Sequence, residues 1–257
     1  MNRVDSFLVK VALTAGAMGL ACAPAYADPD PDAAPFSRDE NSGKTVMSHD
    51  DGYRIILSRF YNAPVKNSKA PELTLFDPVA GKEVELESLL GEKPVVLVFG
   101  SYGCDTFYKA GGAVKRCAEK FGDQAEFIFV YVREAHSIES RGGPGDPAEP
   151  PVISEPKTIA ERVAGAAKFQ QEQNLNLRVL VDSLDDRAAT RWAGWPVRMF
   201  VIDANRTVVY AGKPGPWGFL PTPDAKDPRF DEMRPHEDRF NQESLYEFLE
   251  AYFREES

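Results

Sequence analysis

Pro94-Val95-Val96-Leu97-Val98-Phe99-Gly100-Ser101-Tyr102-Gly103-Cys104 sets the architecture of this chain. Residues 94–99 are continuously apolar and β-branched, the pattern of a short strand buried on both faces. Gly100 to Gly103 break that strand. Behind Cys104 runs a helical apolar stripe of Phe107, Ala110, Gly111, Val114, Cys117, Ala118 and Phe121. A thiol on the first turn of a helix faces unpaired backbone N–H groups and the positive dipole end, which favour thiolate over thiol. Its place after a Gly-rich break favours a reactive cysteine over a packed core one.

Outward from this centre the same grammar repeats. Residues 73–77 and 83–86 read as a hairpin around Asp77-Pro78-Val79-Ala80-Gly81. A second buried strand covers 127–132, a helix runs over about 158–173, and a strand over 178–181. Strands at 198–202 and 207–211 join through Asp203-Ala204-Asn205. Leu245, Phe248, Leu249, Tyr252 and Phe253 mark a terminal amphipathic helix. A short helix is expected near 52–60, and the Gly/Pro-dense stretch 141–156 must be a loop, long enough for a lid or binding role. Strand–helix–strand–helix, then a hairpin and a last helix, is the order of a thioredoxin-like α/β sandwich with a central mixed sheet flanked by helices. Trp195-Pro196 enters the 198–202 strand where that fold carries a cis-proline, leaving a backbone edge free to pair with substrate.

The ends speak to compartment. A basic start, a short apolar core (11–21) and the exit Ala25-Tyr26-Ala27 make residues 1–27 a secretory signal peptide, too short in its apolar part to span a bilayer. Cys22 would leave with it. Residues 28–51 are polar, Pro- and Asp-rich and without apolar period, a disordered lead-in, and 52–257 form the folded domain. The net charge of −10 becomes −11 without the leader, which disfavours nucleic acid and anionic lipid as partners. The expected product is an exported, periplasmic or secreted domain with no membrane span in its mature form; a homodimer is left open.

Three segments resemble the iodothyronine deiodinases. Residues 94–107 are similar to their strand-to-selenocysteine segment, with Cys104 in the selenocysteine position. Tyr131-Val132-Arg133-Glu134-Ala135-His136 resembles their Tyr-Ile-x-Glu-Ala-His signature. Tyr210-Ala211-Gly212-Lys213-Pro214-Gly215-Pro216-Trp217 resembles their closing motif, and Pro196-Val197-Arg198 their Pro-Glu-Arg. The resemblance implies a thiol-fuelled dehalogenase-like site in which Cys104 attacks and Glu134 and His136 handle protons. It also implies that Arg198 holds substrate, with Ser101 and Tyr131 in the hydrogen-bond network. Departures are cysteine for selenocysteine, no second histidine in 141–157, and Tyr102 where some members carry cysteine.

The residues can be weighed beside that resemblance. Cys117 lies one helix away from Cys104, about 20 Å along an unbroken helix, far beyond disulfide reach, and reads as a buried structural thiol. A strand-end histidine often just caps a loop; His136 instead sits on the sheet edge that bears Cys104, with Glu134 near enough to raise its pKa and fix its tautomer. Arg198 follows the expected cis-proline and suits an anionic or phenolic group. Asp182-Ser183-Leu184-Asp185-Asp186 reads as a solvated helix cap and His49 and His236 as bland, while Trp217 and Phe219 either line a pocket or cover the sheet. The sequence carries no phosphate loop or metal-spaced Cys/His cluster, so no bound cofactor or metal is expected, only a small-molecule substrate and an external thiol or thioredoxin-like donor. Two other readings stand beside the dehalogenase: a peroxiredoxin-like thiol peroxidase, whose Pro-x-x-x-Thr-x-x-Cys spacing is missing, and a redox-inactive binding domain.

Overall fold

Six consecutive apolar residues leave a strand no face to give to water, and Val95–Gly100 is buried along its whole length. The computed structural model describes residues 63–138, 153–216, 218–226 and 240–255. In chain order these form β1 (Thr74–Asp77), β2 (Lys82–Glu85), α1 (Leu86–Leu89), β3 (Val95–Gly100), α2 (Asp105–Phe121) and β4 (Glu126–Tyr131). There follow α3 (Ile159–Glu172), β5 (Arg178–Val181), α4 (Arg187–Arg191), β6 (Arg198–Ile202), β7 (Val208–Ala211) and α5 (Leu245–Glu255).

The seven strands make one mixed sheet in the order β2-β1-β5-β4-β3-β6-β7. β3, β4 and β5 run parallel at its centre, while the β1–β2 and β6–β7 hairpins flank them antiparallel. Side chains alternate across the sheet. Val96 and Val98 of β3, Phe129 and Tyr131 of β4 and Met199 of β6 point to the face covered by α2, α3 and α5. Leu97, Phe99, Val130 and Phe200 point to the other face, closed by Leu86 and Leu89 of α1, Ala188 and Ala189 of α4, and Trp192. This is the thioredoxin-like sandwich expected from the element order, and the Trp195-Pro196 bond is cis.

The short helix α1 replaces the end of an expected strand. Glu83 to Leu86 alternates like a strand, but Leu86 and Leu89 share one helical face and bury together, so the strand stops at Glu85. α4 follows the acidic run at 182–186. The helix expected over 158–173 spans Ile159–Glu172, with the Thr158 hydroxyl accepting from the Glu161 N–H at 3.2 Å. The leader expected at 1–27, the lead-in expected at 28–51, the helix expected near 52–60, Trp217, His49, His236 and all but the last residues of the loop expected at 141–156 lie outside the described residues. No helix among the described residues is long and apolar enough to cross a membrane.

Candidate active site

β3 and β4 pair in parallel with Gly100 opposite Tyr131, so the loops that leave them start side by side. Val132 N–H donates to the Gly100 carbonyl at 3.0 Å, extending the ladder by one bond. Ser101–Cys104 thereby faces Val132–His136 across the carboxyl end of the sheet, where open α/β sheets carry their sites.

Glu134 is the hub. Although charged by nature, it is 3% exposed. Its Oε2 accepts from the Gly103 N–H at 2.7 Å and its Oε1 from the Tyr131 hydroxyl. Ser101 completes the set, its oxygen accepting from the Ala135 N–H at 3.1 Å while the hydroxyl bonds the Glu134 carboxyl. Burial pushes the Glu134 carboxyl up to about 7, against the lowering effect of the Tyr131 and Gly103 hydrogen bonds. Gly103 must lack a side chain, since a Cβ there would sit 2.6 Å from the His136 carbonyl and 3.1 Å from Glu134 Oε2. The carboxyl is thus poised to hold or release a proton near neutral pH.

Cys104 occupies the N-cap of α2, and its carbonyl accepts the first helical bond from Tyr108 N–H at 2.9 Å. Its side chain is only 1% exposed. Burial pushes the thiol up to about 12; the N–H groups of Phe107 and Thr106 pull it down, and the Asp105 and Glu134 carboxylates push it further up. The helix start acts in the expected direction, but desolvation outweighs it, so in this conformation the sulfur is a thiol. Cys117 is free and buried, its sulfur donating to the Pro221 carbonyl at 3.2 Å, and the two cysteines form no disulfide across the unbroken α2.

The expected Glu134–His136 pair does not form. Glu134 turns inward to Gly103, whereas His136 is half exposed and its Nε2 lies 3.8 Å from Asp105 Oδ1, on the first turn of α2. The His136 contact holds the Asp105 carboxyl well below the usual carboxylate range. Asp105, unnoticed in the sequence, is therefore the acid that faces His136.

Arg198 departs further from its expected role. It is 4% exposed, sits on the Phe200 face of the sheet, away from the face that carries Cys104, and lies 5.0 Å over the Phe200 ring. Its Nε donates to the Gly212 carbonyl at 2.6 Å, tying β6 to the end of β7. Burial lowers the guanidinium to about 9, still above neutral pH, so it remains a cation. Trp195 and Pro196 are half-buried where the chain enters β6, with the Arg133 guanidinium 6.0 Å from the Trp195 ring.

A family model for iodothyronine deiodinase matches residues 34–223 of this chain. The chain belongs to the iodothyronine deiodinase family. Type I iodothyronine deiodinase of Xenopus laevis is 28% identical over 133 residues, covering 52% of this chain and 50% of that protein. Thyroxine 5-deiodinase of Homo sapiens is 26% identical over 156 residues, covering 61% and 48%. The chain thus spans about half the length of these deiodinases. Among solved structures, the thioredoxin domain of a thiol-disulfide oxidoreductase from Bacteroides vulgatus aligns with a TM-score of 0.42 and 16% identity, over 58% of this chain and 89% of that one.

In this deiodinase-family chain, sequence reasoning also missed the charges behind the hub. Arg162 of α3 is fully buried, pairing with Asp186 at 2.9 Å, donating to the Ser183 carbonyl at 2.6 Å and lying 3.5 Å from Glu155. Arg133 reaches the same Asp186 at 3.6 Å. The acidic run does cap α4, but Asp182 and Asp186 are buried rather than solvated. Asp182 is wholly buried, accepting from the Ala188 and Ala189 N–H groups at 2.9 Å, and burial pushes it up to about 6. A signal existed: Arg162, Gly165, Ala166 and Phe169 fall on one helical face, so a charge stood in an apolar stripe. Tyr102, the family departure, is also buried, donating to Glu172 of α3, with Lys168 5.1 Å over its ring.

Proposed function

We propose that this chain is a thiol-dependent oxidoreductase that removes iodine from an aromatic ring, with Cys104 as the attacking group and Glu134 as the proton carrier. The observation that supports it best is the buried Glu134 carboxyl. Its pKa is about 7, and it is hydrogen-bonded to the backbone of Gly103, the residue before the cysteine. A general acid works best with a pKa near the operating pH.

Substrate entry uncovers the buried Cys104 sulfur, and the thiol proton passes to Glu134. The Cys104 thiolate attacks iodine; the S–I bond forms, the C–I bond breaks, and the ring carbon keeps the electron pair and takes the proton from Glu134. An external thiol then attacks the Cys104 sulfur, expelling iodide and a proton and leaving a mixed disulfide. A second thiol restores Cys104 and leaves as the oxidised disulfide. Arene iodide plus two thiols gives arene, iodide, a proton and one disulfide. His136, exposed at the rim and held by Asp105, is read as the group that meets the phenolic oxygen. The leader sequence argues for an exported protein supplied with thiol outside the cytoplasm.

The test is a pair of parallel assays on purified protein with dithiothreitol, one against an iodinated phenol and one against hydrogen peroxide. Iodide release that needs both protein and thiol supports the proposal. Thiol-dependent peroxide loss without iodide would replace it with a peroxidase, and inertness in both would favour a binding domain.

A further inference from the structure

α3 carries a glycine in its interior, where alanine is intrinsically the better helix former. Gly165 is buried on the face that α3 turns to the sheet. A Cβ at this position would lie 3.0 Å from the Tyr131 hydroxyl oxygen, 3.3 Å from Ile153 Cδ1 and 3.6 Å from Tyr131 Cζ. The first distance is tighter than carbon and oxygen normally accept, so something would have to yield. The Tyr131 ring has little freedom to do so, since Phe129 and Phe169 lie against it at 6.4 and 6.0 Å between centroids. What remains to yield is its hydroxyl bond to Glu134.

We propose that Gly165 is a positioning residue: the missing side chain lets the Tyr131 hydroxyl rest on Glu134, and through that bond α3 sets how tightly Glu134 holds its proton. This rests on the reading of Glu134 as the proton carrier. The groups around that carboxyl are the Gly103 N–H, the Ser101 hydroxyl, Tyr102 and Cys104 from the loop after β3. Tyr131 faces it from β4 and Glu155 from ahead of α3, while Arg162 of α3 faces Tyr131. Of these, Tyr131 is the group that a Cβ at Gly165 would meet first. Displacing its hydroxyl removes a bond that favours the carboxylate, so the proton is held more tightly.

A double-mutant cycle tests this without any substrate. Gly165→Ala, Tyr131→Phe and the double variant are compared by carbon NMR titration of the Glu134 carboxyl and by thermal unfolding. Gly165→Ala is expected to move the titration midpoint upward by roughly half to one pH unit and to lower Tm. In the Tyr131→Phe background the hydroxyl is gone, and the nearest remaining neighbour of the methyl is the flexible end of Ile153, at 3.3 Å. There the same change should leave the midpoint where Tyr131→Phe put it and should not lower Tm further, helix propensity offsetting a small adjustment of the flexible Ile153 end. If Gly165→Ala alone does not fold, the double variant must fold, because the clash is removed. The proposal is overturned if Gly165→Ala leaves the midpoint within about 0.2 pH unit, if its effects persist in the Tyr131→Phe background, or if the double variant fails to fold. Because neither readout needs turnover, a protein that releases no iodide still decides the matter.

Discussion

Glu134→Gln removes one titrating proton and little else. The amide keeps an oxygen for the Gly103 N–H, and its nitrogen can donate to a reversed Tyr131 hydroxyl. In the native state the carboxyl titrates at about 7, against 4.5 when exposed. A carboxyl whose folded pKa is raised binds more protons folded than unfolded, so its contribution to stability falls as pH rises between those two values. From pH 5 to pH 8 the wild type should lose about 2–3 kcal/mol through this group. In a domain of this size that is about 5–10 °C in Tm. Calorimetry at both pH values, with the variant as reference, isolates the effect from Asp182, whose raised pKa tilts both proteins alike. Glu134→Gln should close most of the gap between the two pH values. Parallel slopes for wild type and variant would refute the placement of a protonatable, buried carboxyl at this point. Turnover should meanwhile fall by roughly 10²–10⁴-fold, the usual reach of a general acid.

Other outcomes follow from the same geometry. Cys117→Ser should keep turnover while Cys104→Ser abolishes it, and mass spectrometry of the alkylated, non-reduced protein should find two separately capped thiols. His136→Ala removes the main cause of the lowered Asp105 pKa. A lowered carboxyl stabilises the fold above its ordinary pKa and loses that stabilisation as pH falls, so acid unfolding followed by circular dichroism should begin at higher pH in the variant. Arg162→Met leaves Asp186 buried without its closest partner and should cost roughly 3–5 kcal/mol in urea unfolding, much of it recovered when Asp186→Asn is added.

The sheet was legible because its central strands are buried on both faces, which writes them as unbroken apolar runs at Val95 and Phe127. The joining of the Cys104 and Glu134 loops was legible too, since adjacent parallel strands deliver their following loops to one edge. Side-chain direction beyond a strand end was not. Glu134 and His136 are two residues apart, a spacing that puts both on one side of an extended strand, but both lie beyond the end of β4, where the loop turns one in to Gly103 and the other out to Asp105. Burial of a charge was equally hidden: Asp182, Asp186 and Arg198 look like surface residues until their partners from distant elements are known. The Cys104 pKa was hidden for the same reason, because a helix start is local while desolvation depends on what the whole fold stacks over the sulfur.

The central claim is that the Cys104 sulfur takes the iodine. A single-turnover incubation of the fully reduced protein with an iodinated phenol and no added thiol tests it directly, followed by peptide mapping of the thiols still open to alkylation. The account predicts at most one deiodinated phenol per chain, with Cys104 lost to alkylation in equal measure and Cys117 still free. Product formed with Cys104 fully alkylatable, or with Cys117 consumed in its place, would contradict it.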